Sequence, residues 1–277
     1  ILFDDAAADP GFWKDSADRS RLIVVTQRPE TEAYPRGLLR ELKGFVRLPA
    51  VKLTRLGQIK LSVITCVTEG LIEGMDKVVC LTGAMRDGGS LDTVIALDLA
   101  NETEVLSTTG ISRELLLRVK PEVLETVLSI AIELSVEGRE GSAVGTTFVI
   151  GDHERVDRLS RALIMNPFKG YPEDARNILD DGVHETIKEF ALLDGAFIIR
   201  EDGVVMSAGV HLDAALDSDG HMPGLGCRHM AAAGITDVTD AVSITVSGST
   251  GMVRIFRKGR VVFELERPQR PAGRPLR

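Results

Sequence analysis

The sequence predicts a two-domain α/β protein: an N-terminal α/β domain over residues 1–112, a second domain with a mixed sheet over 113–266, and a disordered tail at 267–277. Three observations predict this. The chain has 277 residues, more than most single cores use. Its first half carries short apolar runs of strand length separated by a helix, the pattern of a parallel sheet covered on both faces. Its second half mixes helices with closely spaced strands and a hairpin signal.

Taken in order, residues 1–20 are polar and rich in Asp, and read as a loosely held arm. LIVVT (22–26) reads as a buried strand, GQIKLSVITCVTEGLIEG (57–74) as an apolar helix bounded by glycines, and KVVCLTG (77–83) and TVIALDL (93–99) as further strands. GAMRDGGS (83–90) is a Gly-rich loop leaving a strand, but it has neither the P-loop nor the dinucleotide-binding spacing, so it reads as a turn. NETEVLSTTGISRE interrupts the apolar pattern within 101–120 and marks the domain boundary.

PEVLETVLSIAIELSVEGREG (121–141) reads as a helix, with Pro121 at its first position and Gly138 at its end. Leu124, Val127, Leu128, Ala131 and Leu134 recur at helical spacing and should form one buried face. A strand, GTTFVIGD (145–152), follows, then a polar loop to about residue 172, then helix-containing sequence over 172–195. FIIRE (197–201), VVMSAGV (204–210), AVSITVS (241–247) and MVRIFRKGRVVFEL (252–265) read as strands, the last folded at Lys258–Gly259. RPQRPAGRPLR is Pro- and Arg-rich and closes the chain.

Composition narrows the function. The hydrophobic fraction of 44% excludes global disorder, and a net charge of −8 argues against general binding to nucleic acid. It leaves room for one nucleotide held by a local cluster of Arg. Cys66, Cys80 and Cys227 are odd in number and lack metal-ligand spacing, so free thiols in a reducing cytoplasm are expected. No apolar run reaches the length of a membrane span, so no membrane partner is expected. The first residues, ILFDDAAADPGF, are acidic, unlike a signal peptide, and lack an initiating Met, which suggests a start inside a longer gene product.

Three short stretches could carry chemistry. Asp194-Gly195-Ala196 lies where a helix hands over to a strand; Gly195 permits a tight turn or a close ligand, and Asp194 is either a turn carboxylate or a ligand for a hard cation. Arg228 and His229 follow Gly224-Leu225-Gly226 at the start of a small-residue helix, where free N–H groups and the positive dipole end favour an anion. The competing reading is an exposed Arg beside a core His. Ser247-Gly248-Ser249-Thr250-Gly251 ends a strand and is either a hairpin loop or a set of phosphate donors. His153, His184, His211 and His221 show no ligand spacing and read as surface or structural.

The order of these pieces is more specific than any one of them. DGA, AGVHLDA, GLGCRHMAA, TDAVSITVS-x-x-TG and a hairpin with a KG turn together resemble the diadenylate cyclase domain family, in its archaeal-type branch, over about 115–265. Residues before about 110 resemble the N-terminal domain of that branch, itself similar to the C-terminal domain of pyruvate kinase. Nothing resembles the helix-hairpin-helix region of the DNA-scanning members, so no nucleic-acid partner is implied.

The resemblance implies condensation of two ATP into cyclic di-AMP, with a divalent metal (Mn or Mg), by a cytoplasmic homo-oligomer whose cyclase domains face each other. Asp194 would hold the metal and help deprotonate or orient the ribose 3′-hydroxyl. Gly195, Ala196, Leu212 and Gly226 would shape the nucleotide site, and Arg228 and His229 would hold the triphosphate. Cys227 stands where many members have Thr, Met230 where bacterial members have a second Arg, and Gly248 and Ser249 where members have glutamates; Ser247 matches the family. Arg254 is a candidate to replace the missing Arg. These departures support a rival from another class, a catalytically degenerate module that senses ATP or cyclic di-AMP. A third possibility is a purely structural oligomerisation protein.

Overall fold

The computed structural model describes residues 1–3, 19–27, 40–49, 51, 53–83, 91–101, 119–139, 141–214 and 226–267. Two compact units are distinguished, one within Ile1–Ile111 and the other Ser112–Arg267. The expected 83–90 loop (beyond Gly83), most of the 101–120 boundary, His221 and the tail from 268 lie outside the described residues.

The first unit is a five-stranded sheet in the order β3-β2-β1-β4-β5. Its strands are β1 (Leu2–Phe3), β2 (Ile23–Thr26), β3 (Gly44–Arg47), β4 (Lys77–Gly83) and β5 (Leu91–Asp98). Neighbours from β3 to β4 are parallel, as the buried apolar runs predict. Two expectations are corrected. Ile1, Leu2 and Phe3 are no loose arm: they are buried, and β1 sits between β2 and β4 in the middle of the sheet. β5 is antiparallel to β4, because only residues 84–90 join them and a parallel crossover needs about a dozen or more. Helix α1 (Arg55–Thr68) packs on β4 and β3. It starts at Thr54, whose Oγ1 accepts from the Gly57 N–H at 3.0 Å, and it ends at Thr68, short of the Gly74 expected from the apolar run.

The second unit is a seven-stranded mixed sheet in the order β12-β11-β10-β6-β8-β9-β7. These are β6 (Thr146–Ile150), β7 (Ser160–Ala162), β8 (Ala196–Ile199), β9 (Val205–Leu212), β10 (Val242–Val246), β11 (Val253–Arg257) and β12 (Arg260–Leu265). Only β6 and β8 pair in parallel. The stretch expected to be a polar loop up to residue 172 contains helix α3 (His153–Arg158) and edge strand β7, both too short to show a period. Residues 172–195 hold a 3₁₀ turn (Asp174–Arg176) and α4 (Asp181–Phe190).

Helix α2 (Pro121–Glu137) begins with Pro121 and closes at Gly138, whose φ of 65° and N–H bond to Leu134 O terminate it. Leu124, Val127, Leu128, Ala131 and Leu134 are buried, as the spacing predicts. Helix α2 and helix α5 (Cys227–Val238) both pack on β10 and β11, from opposite faces. On the α5 face, Val149, Ala196, Ile198, Val210, Leu212 and Ile235 form one core cluster, joined by Val156 of α3. Phe148 and Phe197, one pleat on, stack at 5.0 Å on the other face. The last hairpin turns at Lys258 and Gly259, with φ of 48° and 70°; both residues are left-handed, as a type I′ turn requires.

Candidate active site

The site lies where β8, β9 and the start of α5 meet. Asp194 is the second-last residue of the turn between α4 and β8, and its carboxylate stands 85% exposed. Gly195 turns the chain with φ 105°, and a Cβ there would lie 2.7 Å from the Val210 carbonyl oxygen. Only glycine lets the turn press against β9 this closely. Ala196 then enters β8, paired with Thr147 on one side and Val210 on the other.

Across the cleft, Gly226 caps α5 without a side-chain bond, and Cys227, Arg228 and His229 form the first turn. The His229 N–H donates to Gly226 O at 3.0 Å, which leaves the N–H groups of Cys227 and Arg228 as the ones that precede any acceptor in the helix. The Arg228 Nη2 donates to Asp194 Oδ1 at 2.7 Å. The resulting cleft of ≈ 300 Å³ is lined by Asp194, Gly195, Ala196, Leu212, Cys227 and Arg228, with Thr147, Leu163, Val210, His211 and Ala231 completing the wall.

The strand-end loop approaches the same place. A Cβ on Gly145 would lie 2.8 Å from Gly248 N and 3.3 Å from Arg228 Nη1. Two glycines thus let the β6 approach segment and the 247–251 loop touch beside the guanidinium. Ser247 itself is buried and committed to the turn: its N–H donates to Met252 O, and its Oγ accepts from Thr250 N at 3.3 Å. It does not line the cleft.

His229 does not line the cleft either. It is buried, 5% exposed, with its ring edge against Phe256. Its Nε2 accepts from Arg254 Nη1 at 3.0 Å, and Arg254 Nε is bonded to Glu264. Burial first and the Arg254 charge second push the imidazole pKa down to about 4, against an upward pull from Glu264 that outweighs the further push from Arg228. The ring is neutral at neutral pH. Arg254 faces His229 and Glu264, and is not among the residues lining the cleft.

Thr147 and His211 were not singled out from sequence. Alternation along GTTFVIG places Thr147 on the face of Val149, which is the available signal; His211 reads as surface or structural. His153 stands 3.7 Å from Glu201, and His184 Nε2 is 2.7 Å from Ile178 O. Cys66 and Cys80 are buried, and burial pushes the Cys80 thiol up to about 11; Cys227 is exposed.

Among the described residues no three His, Cys, Asp or Glu side chains converge on one point. Asp194 offers one exposed carboxylate beside a phosphate-sized cleft. That donor set suits an ion held by one carboxylate together with substrate phosphates, not one caged by protein alone. A second cleft, of ≈ 410 Å³, lies beside β7 and the 164–170 segment. Its guanidinium groups are already committed, Arg176 to Val205 O and Tyr171 O and Arg161 to Asp213.

Residues 133–261 match the family described as DisA bacterial checkpoint controller nucleotide-binding, and residues 1–106 match a probable sensor domain, DacZ_P. The chain is 33% identical over 268 residues to the diadenylate cyclase of Haloferax volcanii, covering 96% of both chains. The chain belongs to the diadenylate cyclase family. It is also 39% identical over 197 residues to the diadenylate cyclase of Methanocaldococcus jannaschii, spanning 71% of this chain and 62% of that one. The cyclic di-AMP synthase CdaS of Bacillus subtilis is 38% identical over 78 residues, 28% of this chain and 36% of that one. In this chain, Asp194, Arg228 and the 247–251 loop all fall within the segment that matches the nucleotide-binding family. No helix among the described residues is long and apolar enough to cross a membrane.

Proposed function

We propose that this chain condenses two ATP into cyclic di-AMP, releasing two pyrophosphates, at a site completed by a second copy of itself. The observation that carries this reading is the meeting of Asp194 and Arg228, 34 residues apart in sequence, in one cleft at the positive end of a helix. A carboxylate and a guanidinium placed together offer one group for a hydroxyl proton or a cation and one fork for phosphate oxygens.

Arg228 holds the phosphates with the backbone N–H groups of Cys227 and Arg228 at the start of α5. Gly195 and Ala196 let the sugar come close to the backbone, with Leu212 and Val210 as the apolar wall. Asp194 orients the ribose 3′-hydroxyl and accepts its proton. The 3′-oxygen then bonds to the α-phosphorus of the other ATP, whose bond to pyrophosphate breaks. The same exchange in the opposite sense closes the ring. A divalent ion, Mn or Mg, held by Asp194 and the phosphates would supply neutralisation of charge at the α-phosphate. Catalysis is otherwise a matter of positioning two nucleotides in line.

One Asp194–Arg228 cleft per chain and two nucleotides per product require two such clefts to face each other, so the working form is a homo-oligomer. Mixing tests this. With wild-type subunits in a fixed amount, excess Asp194→Asn subunits should suppress turnover, because mixed pairs contain only one competent hydroxyl acceptor. Undiminished wild-type turnover after confirmed subunit exchange would refute the facing arrangement.

The rival reading, a degenerate sensor of ATP or cyclic di-AMP, draws on two departures: Met230 stands where bacterial members have a second Arg, and Gly248 and Ser249 bring no carboxylate to the loop beside Arg228. It predicts nucleotide binding without pyrophosphate release.

A further inference from the structure

The cross-strand register sets Thr147, Thr245, Arg254 and Glu264 in one row on adjacent strands, from the cleft wall to the outer strand of the sheet. Arg254 therefore lies two strands away from Thr147, beneath the first turn of α5. Its side chain is only 15% exposed, and the Glu264 side chain 26%. An arginine so placed needs acceptors for its donors. Glu264 takes Nε, and His229 Nε2 takes Nη1.

We propose that Arg254, anchored by Glu264, is a positioning residue that fixes His229 as the neutral Nδ1–H tautomer and so seats the first turn of α5 with Arg228 turned into the cleft. The inference rests on the reading of that cleft as the ATP site. Its chemistry is direct. A guanidinium in a protein always donates, so the nitrogen facing it must carry the lone pair, which leaves the proton on the other ring nitrogen. A protonated ring would set two cations against each other and break the contact. The charged groups bearing on the ring are Arg254 on β11, Glu264 on β12 and Arg228 on α5 itself. Thus Arg254 serves the phosphate site from behind, through His229, and does not supply a second fork in place of the Arg missing at Met230.

The test combines ring ¹⁵N chemical shifts of His229 with calorimetric titration of ATP and of adenosine. In wild type the shifts should report a pure Nδ1–H tautomer. Arg254→Met should give a tautomer mixture and weaken ATP roughly tenfold, the worth of one well-placed hydrogen bond, while adenosine changes little. Glu264→Gln, which keeps the shape and loosens the anchor, should lose less. Arg254→Lys restores a donor to Nε2 and should recover the tautomer and part of the ATP affinity. If Arg254→Met does not fold, Glu264→Gln and Arg254→Lys decide through the same two readouts. An unchanged ring tautomer in Arg254→Met, or equal losses for ATP and adenosine, would overturn the proposal. Wild-type protein that does not prefer ATP to adenosine would instead count against the assigned function, and the ring shifts would still decide whether Arg254 sets His229.

Discussion

Asp194→Asn should do two opposite things: abolish turnover and tighten the binding of ATP in the absence of metal. In the free protein the Arg228 guanidinium is spent on Asp194, at 2.7 Å. ATP must take the guanidinium away before it can use it. The pair is open to water, with side-chain exposures of 37% and 85%, so its worth is that of a screened surface pair, about 0.2–1 kcal/mol. Releasing Arg228 should therefore strengthen metal-free ATP binding by roughly 1.4- to 5-fold. Removing a negative charge near phosphates would help ATP even without the ion pair, so the measurement is a double-mutant cycle. ATP is titrated calorimetrically in EDTA into wild type, Asp194→Asn, Arg228→Gln and the double variant. The gain from Asp194→Asn should shrink markedly in the Arg228→Gln background. An equal gain in both backgrounds would show that the pair does not restrain Arg228, and weaker binding by Asp194→Asn would refute the reasoning outright.

Gly195→Ala should lower the melting temperature and expel the nucleotide, since its Cβ would meet the Val210 backbone at 2.7 Å in a left-handed conformation that costs about 1–3 kcal/mol; thermal denaturation with and without ATP checks both. Thr245→Val should raise the melting temperature, because the Thr245 hydroxyl is fully buried and has no hydrogen-bond partner among the described residues, and the cost of such a group is about 1–3 kcal/mol. A lower melting temperature would point to a hidden partner. For His229, the folded-state pKa of about 4 lies below the ordinary imidazole value of about 6.5, so the unfolded chain binds the extra proton first. Stability should fall as pH drops from 6.5 toward 4, and His229→Gln should flatten that part of the pH–stability curve measured by denaturant unfolding.

The parts of the fold legible in sequence were those with a period or a cap. Helix α2 announced itself by its apolar stripe, Pro121 and Gly138, and the last hairpin by Lys258–Gly259. An apolar run does not encode strand direction, so the reversal of β5 was visible only in the shortness of its connection to β4. Two-residue β1 is too short for any pattern. The site was legible in part. The meeting of Asp194 and Arg228 depends on tertiary structure and was suggested by family resemblance, not by spacing. The burial of His229 had a local signal, since His229, Ala232, Ala233 and Thr236 recur at helical spacing and are all buried, but Arg228 precedes buried Ala232 by four residues and buried Ile235 by seven, so spacing alone does not tell the two apart. What no pattern conveys is that Arg254 and Glu264 meet this stripe from behind.

Product stoichiometry tests the central claim most directly. Purified protein is incubated with ATP and Mn²⁺ or Mg²⁺, and the nucleotides are separated by anion exchange while pyrophosphate is measured in parallel. The account predicts cyclic di-AMP with two pyrophosphates released for each molecule formed, and neither product from Asp194→Asn. Saturable ATP binding without pyrophosphate release would contradict it and favour the sensor.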